Sequence, residues 1–256
     1  MKKTIFLLTM ACALNASGWA ATPAVQVKEG RQTIQLSGQG WRLLLDKAAP
    51  WKNDHLFPPS EISNVSLLPI NMPSGGWQML NTSQQLVKVP GTVEEFTTSS
   101  DTPRVEDYVG VSWWYRDIEV PSDLKGKRVV INFESVRVRA EVYIDGKLVA
   151  YDVVGDSPFS ADITEAVQGG RKHQLAVRVT NPGGEYHWQD FTTYQWGKYE
   201  MPPGRGFGGI TGPVSIDITN LQFIEDIYMQ NTTEKDSVNA IVTFYLIRRV
   251  ESVIKK

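Results

Sequence analysis

Cysteine is nearly absent from this 256-residue chain, which carries only Cys12. Without a second thiol there is neither an intramolecular disulfide nor a thiolate metal site. Histidine is also scarce; His55 and His173 have no partner at metal-ligand spacing, and neither H-E-x-x-H nor G-x-S-x-G occurs. No excess of positive charge exists: Lys+Arg 26 against Asp+Glu 28 gives a formal charge of −2. A nucleic-acid binder would show a basic surplus or stripe. No apolar run reaches the roughly 18 residues that a membrane span needs. Sustained helical periodicity is lacking too, with Asp162–Val167 long enough for one short turn. A (β/α)8 barrel takes about 250 residues by itself, so 256 residues leave no room for one beside another domain. What is plentiful is aromatic: eight Trp and nine Tyr, in a chain that is 21% charged, exclude a disordered polymer.

The N-terminus reads as an address. Lys2 and Lys3 precede an apolar stretch from Ile5 to Leu14, and small residues follow around Gly18-Trp19-Ala20-Ala21. This is the layout of a secretory signal peptide over residues 1–20, cut after Ala20, and it predicts a secreted or periplasmic protein. Cys12 lies inside this segment and would allow a lipid anchor, but Thr9-Met10-Ala11 matches a Leu-initiated lipobox poorly. Neither a metal nor another cofactor is expected.

The body reads as strands. Val136, Val138, Ala140, Val142 and Ile144 alternate with Arg137, Arg139, Glu141 and Tyr143, the period of a half-buried strand. Asp145-Gly146 then supplies the positive φ angles of a type I′ hairpin, and Leu148–Tyr151 returns. Similar runs fall at Thr33–Leu36, Trp41–Leu45, Trp114–Val120, Arg128–Phe133, Gln174–Thr180 and Val214–Thr219. Short strands punctuated by Gly and Pro predict an all-β jelly-roll sandwich. Pro50–Thr82, rich in Pro, Asn and Ser, reads as a long surface loop with at most a short strand. Asn181–Gly212 reads as a second long loop, and a loop of that size in a compact domain is usually functional.

Gly204-Arg205-Gly206-Phe207-Gly208-Gly209 satisfies G-x-G-x-x-G, but Pro202-Pro203 precedes it and a strand follows, so the dinucleotide reading fails. Glu185–Phe207 interleaves seven aromatics, from Tyr186 to Phe207, with His187, Asp190, Glu200 and Arg205. Sugar rings offer apolar C–H faces and hydroxyl rims, which suit aromatic platforms beside carboxylates and guanidinium groups. Most of these aromatics are expected to fasten the loop to the sandwich, whereas the polar residues near its tip have the better claim to a ligand. Arg116 shares the core-facing side of its strand with Trp114 and Ile118, so it should meet a buried carboxylate or sit at a bulge. The adjacent pairs Glu94-Glu95 and Glu225-Asp226 read as solvated charges.

Several blocks, taken in order, resemble the N-terminal sugar-binding jelly-roll domain of glycoside hydrolase family 2, home of β-galactosidases, β-glucuronidases and β-mannosidases. They begin with Val87–Gly91 and Gly110–Arg116, then Phe133–Val136, Ala140–Gly146 and Ser157–Thr164. Leu175–Asn181 and Gly208–Val214 complete them. The resemblance implies a jelly roll over residues 21–221, with residues 222–256 as the first strands of an incomplete immunoglobulin-like sandwich. Ile224–Gln230 and Val238–Leu246 are the expected strands. In the family the catalytic glutamates lie on a later (β/α)8 barrel, so no catalytic residue carries over and the chain alone is expected to be inactive. Loops of the first domain reach over that barrel in several members. By that resemblance His187, Trp188, Asp190 and Arg205 are the candidate sugar contacts. Thr211-Gly212-Pro213 stands where many members have Ile-x-Arg, which leaves the subfamily open. The expected partners are a galactoside-, glucuronide- or mannoside-type glycan and a separately supplied barrel. The alternatives are a glycosidase active only with that barrel, and a fragment with no function of its own.

Overall fold

Why the chain alternates apolar and polar residues becomes plain in the computed structural model, which describes residues 25–28, 30–97, 108–183, 194–201, 207–231 and 238–246. The candidate leader and Cys12 lie outside these residues. In chain order the strands begin with β1 (Val25–Lys28), β2 (Arg31–Gln35), β3 (Gly38–Asp46), β4 (Gln85–Val89) and β5 (Gly91–Thr92). The short helix α1 (Val93–Thr97) leads to β6 (Gly110–Glu119), β7 (Lys127–Phe133), β8 (Arg139–Ile144), β9 (Lys147–Asp152), β10 (Phe159–Asp162) and β11 (Lys172–Asn181). Then come β12 (Tyr194–Trp196), β13 (Tyr199–Met201), β14 (Gly209–Ile210), β15 (Val214–Asn220), β16 (Gln222–Asn231) and β17 (Val238–Leu246).

Two antiparallel sheets make the sandwich: five strands in the order β1-β2-β15-β7-β10, and six in the order β4-β3-β6-β11-β8-β9. The late strand β15 slots between β2 and β7, the crossover connectivity of a jelly roll. Between the sheets lies the main core, where Trp41, Trp114, Ile131, Phe133, Val142, Val177 and Ile216 are almost wholly buried. The β8–β9 turn is as the sequence predicts: Asp145 and Gly146 both adopt positive φ, 49° and 79°. Among the described residues β16 and β17 pair only with each other, as a separate two-stranded antiparallel sheet.

The outer face of the six-stranded sheet departs from the prediction of a half-buried β8. Tyr143, Trp113, Tyr115 and Ala176 on that face are buried as well, in a second apolar layer with Leu80 and Leu148. The segment between β3 and β4 covers them. It contains no strand, only 3-10 turns at Pro59–Glu61, Val65–Leu67 and Trp77–Met79. Trp77 packs edge-on against Trp113 and Tyr143, with centroids at 5.6 and 5.1 Å. Polar ties fix it in place: the Tyr115 hydroxyl donates to the Asn81 carbonyl at 2.7 Å, and the Asn71 N–H donates to the Tyr143 hydroxyl at 3.2 Å. The predicted surface loop is therefore a lid on the sheet. Its apolar residues contact that layer without any regular spacing, so no period announces them.

Two further expectations change. Arg116 is buried without a carboxylate bonded to it, and its guanidinium lies beside Gly40, where the register of β3 is irregular between Gly38 and Trp41. Its Nη1 donates to the Leu36 carbonyl at 2.7 Å, and its guanidinium lies 5.6 Å from the Trp41 ring. Burial lowers its pKa from the ordinary arginine value. The predicted long loop at Asn181–Gly212 contains the hairpin β12–β13 and the strand β14. Residues 209–210 are a strand and the next element is the strand β15, which removes the dinucleotide reading. Here glycine is required by close approach. Gly209 exchanges both backbone hydrogen bonds with Arg137 at 2.9 and 3.0 Å, and a Cβ on Gly212 would come 2.5 Å from the Ser135 nitrogen.

Candidate functional site

Charged residues inserted among apolar strands build the most unusual feature of the outer face. Arg139 and Glu141 follow the alternation of β8, and Arg178 and Thr180 that of β11. The register sets Arg178 opposite Glu141 and Thr180 opposite Arg139. Arg178 Nη1 donates to Glu141 Oε2, and Asn71 Nδ2 donates to Glu141 Oε1 at 2.6 Å. Arg139 Nη2 donates to Asp54, which the covering segment brings down onto the sheet. Thr180 Oγ1 accepts from both guanidinium groups at 3.1 and 3.2 Å, and the Pro50 carbonyl accepts from Arg178 Nη2 at 3.0 Å. Side chains of Arg139, Glu141 and Arg178 are 1–2% exposed. Two cations against two carboxylates make the cluster neutral, the condition under which such charges tolerate burial.

The electrostatics follow from that packing. Burial works to lower the pKa of Arg139, but Glu141 and Asp54 outweigh it and hold the group above the ordinary arginine value. The Tyr143 hydroxyl is pushed well up, first by burial and then by Glu141. Tyr151 is raised mainly by burial, so both phenols stay neutral.

The β12–β13 hairpin docks on the same place. Trp196 is 1% exposed, meets Trp51 edge-on with centroids 6.0 Å apart, and donates from Nε1 to the Trp51 carbonyl at 3.1 Å. The Arg139 guanidinium lies 5.1 Å from its ring. Tyr199 donates to the Leu56 carbonyl at 2.6 Å, and its ring is 6.1 Å from that of His55. Trp196 and Tyr199 thus fasten their segment to the sandwich, the role predicted for most of its aromatics.

Among the described residues a small cavity and two open recesses lie between these parts. A cavity of about 70 Å³ is walled by Asp54, His55, Arg139, Glu141 and Tyr151 among others. A recess of about 350 Å³ opens between Asn53–His55 and Gly197–Tyr199. A third, of about 420 Å³, runs along residues 47 and 49–54. Both recesses lie open to solvent, while the cavity has room for a few waters or hydroxyls.

The sequence-predicted contacts His187, Trp188, Asp190 and Arg205 all lie outside the described residues. His173 is described and lies elsewhere; its Nδ1 is 2.6 Å from Asp145 and its Nε2 accepts the Gln168 N–H at 2.9 Å. Among the described residues no group of three or more His, Cys, Asp or Glu could hold a metal, and no helix is long and apolar enough to cross a membrane. Arg139, Glu141, Arg178, Asp54 and His55 did not emerge as site residues from the sequence. A signal was present: charged residues recur inside two strands whose neighbours on both sides are almost all apolar, in Arg139–Glu141 and again at Arg178.

Comparison with known proteins places this geometry. The family model "Glycosyl hydrolases family 2, sugar binding domain" matches residues 37–198. A β-glucuronidase of Formosa agariphila is 30% identical over 138 residues, covering 50% of this chain and 14% of that protein. A β-galactosidase of Thermoanaerobacter pseudethanolicus is 34% identical over 144 residues, covering 53% of this chain and 17% of that protein. The chain therefore spans about one sixth or less of the length of these relatives. Among solved structures, a Lactobacillus rhamnosus β-glucuronidase superposes with a TM-score of 0.60 at 21% identity, covering 88% of this chain and 35% of that one. At that identity it speaks for the fold alone.

Proposed function

The chain belongs to glycoside hydrolase family 2 through its sugar-binding domain, and from that premise we propose that it serves as a non-catalytic carbohydrate-binding and scaffold domain at the N-terminal end of a secreted glycosidase. One observation carries this reading: the family match over residues 37–198 spans the buried charge network and the cavity beside it.

The chemistry supports a binding role. A retaining glycosidase needs a protonated carboxyl and a carboxylate about 5–5.5 Å apart across the sugar. Asp54 and Glu141 are instead clamped by Arg139 and Arg178. Bond cleavage is assigned to a barrel supplied outside these 256 residues, and the glycan is of the galactoside, glucuronide or mannoside type. His187, Trp188, Asp190 and Arg205 contribute sugar contacts from the segments flanking the β12–β13 hairpin. Residues 1–20 act as a cleaved export signal, and β16–β17 open an immunoglobulin-like sandwich.

The test is direct. Purified protein is titrated with methyl β-galactoside, methyl β-glucuronide and methyl β-mannoside while tryptophan fluorescence is followed. A saturable change with at least one sugar is expected, and a flat response to all three would count against the reading.

A further inference from the structure

Arg139 and Arg178 meet carboxylates, but Arg116, only 8% exposed, has no ion pair among the described residues. A buried cation left without a counter-charge is costly. Its Nη1 donates to the Leu36 carbonyl, which also accepts from Trp41 Nε1 at 2.7 Å. Its Nε faces the Asp117 carbonyl at a long 3.4 Å. Nη2 carries two N–H donors and makes no hydrogen bond among the described residues, yet unlike Arg139 Nε it is not sealed from solvent.

Glycine leaves the space beside Nη2 open. A Cβ on Gly40 would sit 3.5 Å from Nη2 and 3.8 Å from Cζ, with no other atom within 4 Å apart from the adjoining residues. A Cβ on Gly38 would meet nothing within 4 Å, and Gly38 and Gln39 are exposed. Both glycines hold positive φ, 93° and 95°, where the ladder between β3 and β4 is irregular. This stretch of β3 is therefore a notch at which a buried guanidinium meets solvent.

From this juxtaposition we infer that the notch at Gly38–Gly40 is an anion site, in which a monovalent carboxylate accepts hydrogen bonds from Arg116 Nη2. Charge selects the ligand. One guanidinium balances one negative charge, so a dianion such as sulfate would stay half uncompensated. Water would satisfy an N–H but leave the cation without a counter-charge. Guanidinium and carboxylate form the stronger, charge-assisted hydrogen bond. The acidic group whose charge Arg116 feels is Asp117, which is exposed on the other side of β6. The donor is also pre-organised, because the Leu36 carbonyl holds Nη1 and the Trp41 ring lies 5.6 Å from the guanidinium. This site lies on the core-facing side of the six-stranded sheet, opposite the Arg139–Glu141–Arg178 network, and is independent of the carbohydrate-binding reading. A free carboxylate or the carboxyl of a uronic acid has the required chemistry.

The test follows backbone amide shifts of Gly38 and Gly40 in the 15N-labelled full chain. Sodium acetate and sodium methyl β-glucuronide are titrated in parallel with sodium chloride and sodium sulfate at matched ionic strength. At least one carboxylate should shift the Gly40 amide saturably. A response to acetate means that any small carboxylate enters, and a response to the glucuronide alone means that a uronic acid supplies it. Gly40→Ala puts a methyl group beside Nη2, whereas Gly38→Ala carries a similar φ with nothing near its Cβ. Gly40→Ala should weaken binding about tenfold or more, Gly38→Ala should bind like wild type, and Arg116→Lys should weaken it by a similar factor. If Arg116→Lys does not fold, the two glycine variants decide. No saturable shift with either carboxylate, equal affinity for chloride or sulfate, or full binding by Gly40→Ala would overturn the inference. A glucuronide response confined to other residues would also overturn it, while the carbohydrate-binding reading stands.

Discussion

Replacing Glu141 by Gln probes the buried network most sharply. The side chains have nearly the same shape, so packing is preserved and only charge and one acceptor are lost. In the native protein Glu141 accepts from Arg178 and from Asn71, and it lies 3.7 Å from Arg139. Its removal leaves two arginines, each 1–2% exposed, with Asp54 as their counter-charge. The new amide NH2 would also point a donor at a donor. Breaking a buried pair by deleting one partner costs about 3–5 kcal/mol, because the remaining charge stays desolvated. For a domain of this size each kcal/mol is worth about 2–4 °C in Tm, so the loss is about 6–20 °C. Urea denaturation would measure it, with Glu141→Leu, Arg178→Met and the double variant Glu141→Leu/Arg178→Met closing a cycle. The double variant should recover most of the loss, since an apolar replacement of a whole pair is close to neutral. A cost below about 1 kcal/mol for Glu141→Gln is the value of a solvated surface pair, and it would refute the buried network.

Three other outcomes follow from the same structure. Trp196→Ala removes a fully buried ring that carries the Trp51 contact and supports Arg139, and should cost about 3–5 kcal/mol by chemical denaturation, alongside a change at His55 visible by NMR. Gly212→Ala should reduce stability measurably, because its Cβ would meet the Ser135 nitrogen at 2.5 Å, whereas Gly38→Ala, with open space around the Cβ and only its φ of 93° to resist, should cost less. Asp217 tests pH dependence. Burial works to raise its pKa, but hydrogen bonds from Arg31, Thr33 and Asn132 outweigh this and hold it below the usual carboxylate value. A depressed native pKa means that its stabilisation is present above the unfolded value near 3.9 and fades as pH falls through the native one. Asp217→Asn should therefore be less stable than wild type at neutral pH, with the gap closing on acidification; a gap independent of pH would contradict the assignment.

How legible all this was in the sequence depends on what each residue has to do. Strand alternation gave the main sandwich correctly because inward residues such as Val142, Val177 and Ile216 need only be apolar, and period two suffices to mark them. The Asp145-Gly146 turn was equally legible, since positive φ at both positions demands that chemistry. The second layer was not. Arg139, Glu141 and Arg178 occupy positions that alternation assigns to solvent, and the covering segment from residue 47 to 84 buries them together with Trp196. That segment packs through irregular turns, with Trp77 and Leu80 at no fixed spacing, so local sequence carries no record of its target. Arg116 shows the same limit from the other side. Its inward position was predicted, but its partner, the Leu36 carbonyl, is a backbone atom that no sequence pattern displays.

Isothermal titration calorimetry of the 256-residue protein with the three methyl glycosides bears most directly on the claim of a non-catalytic sugar-binding domain. The account predicts, for at least one sugar, injection peaks that saturate and a power baseline that returns to its starting level. Absence of heat with every sugar would contradict binding, and a sustained displacement of the baseline, the mark of continuing hydrolysis, would contradict the non-catalytic role.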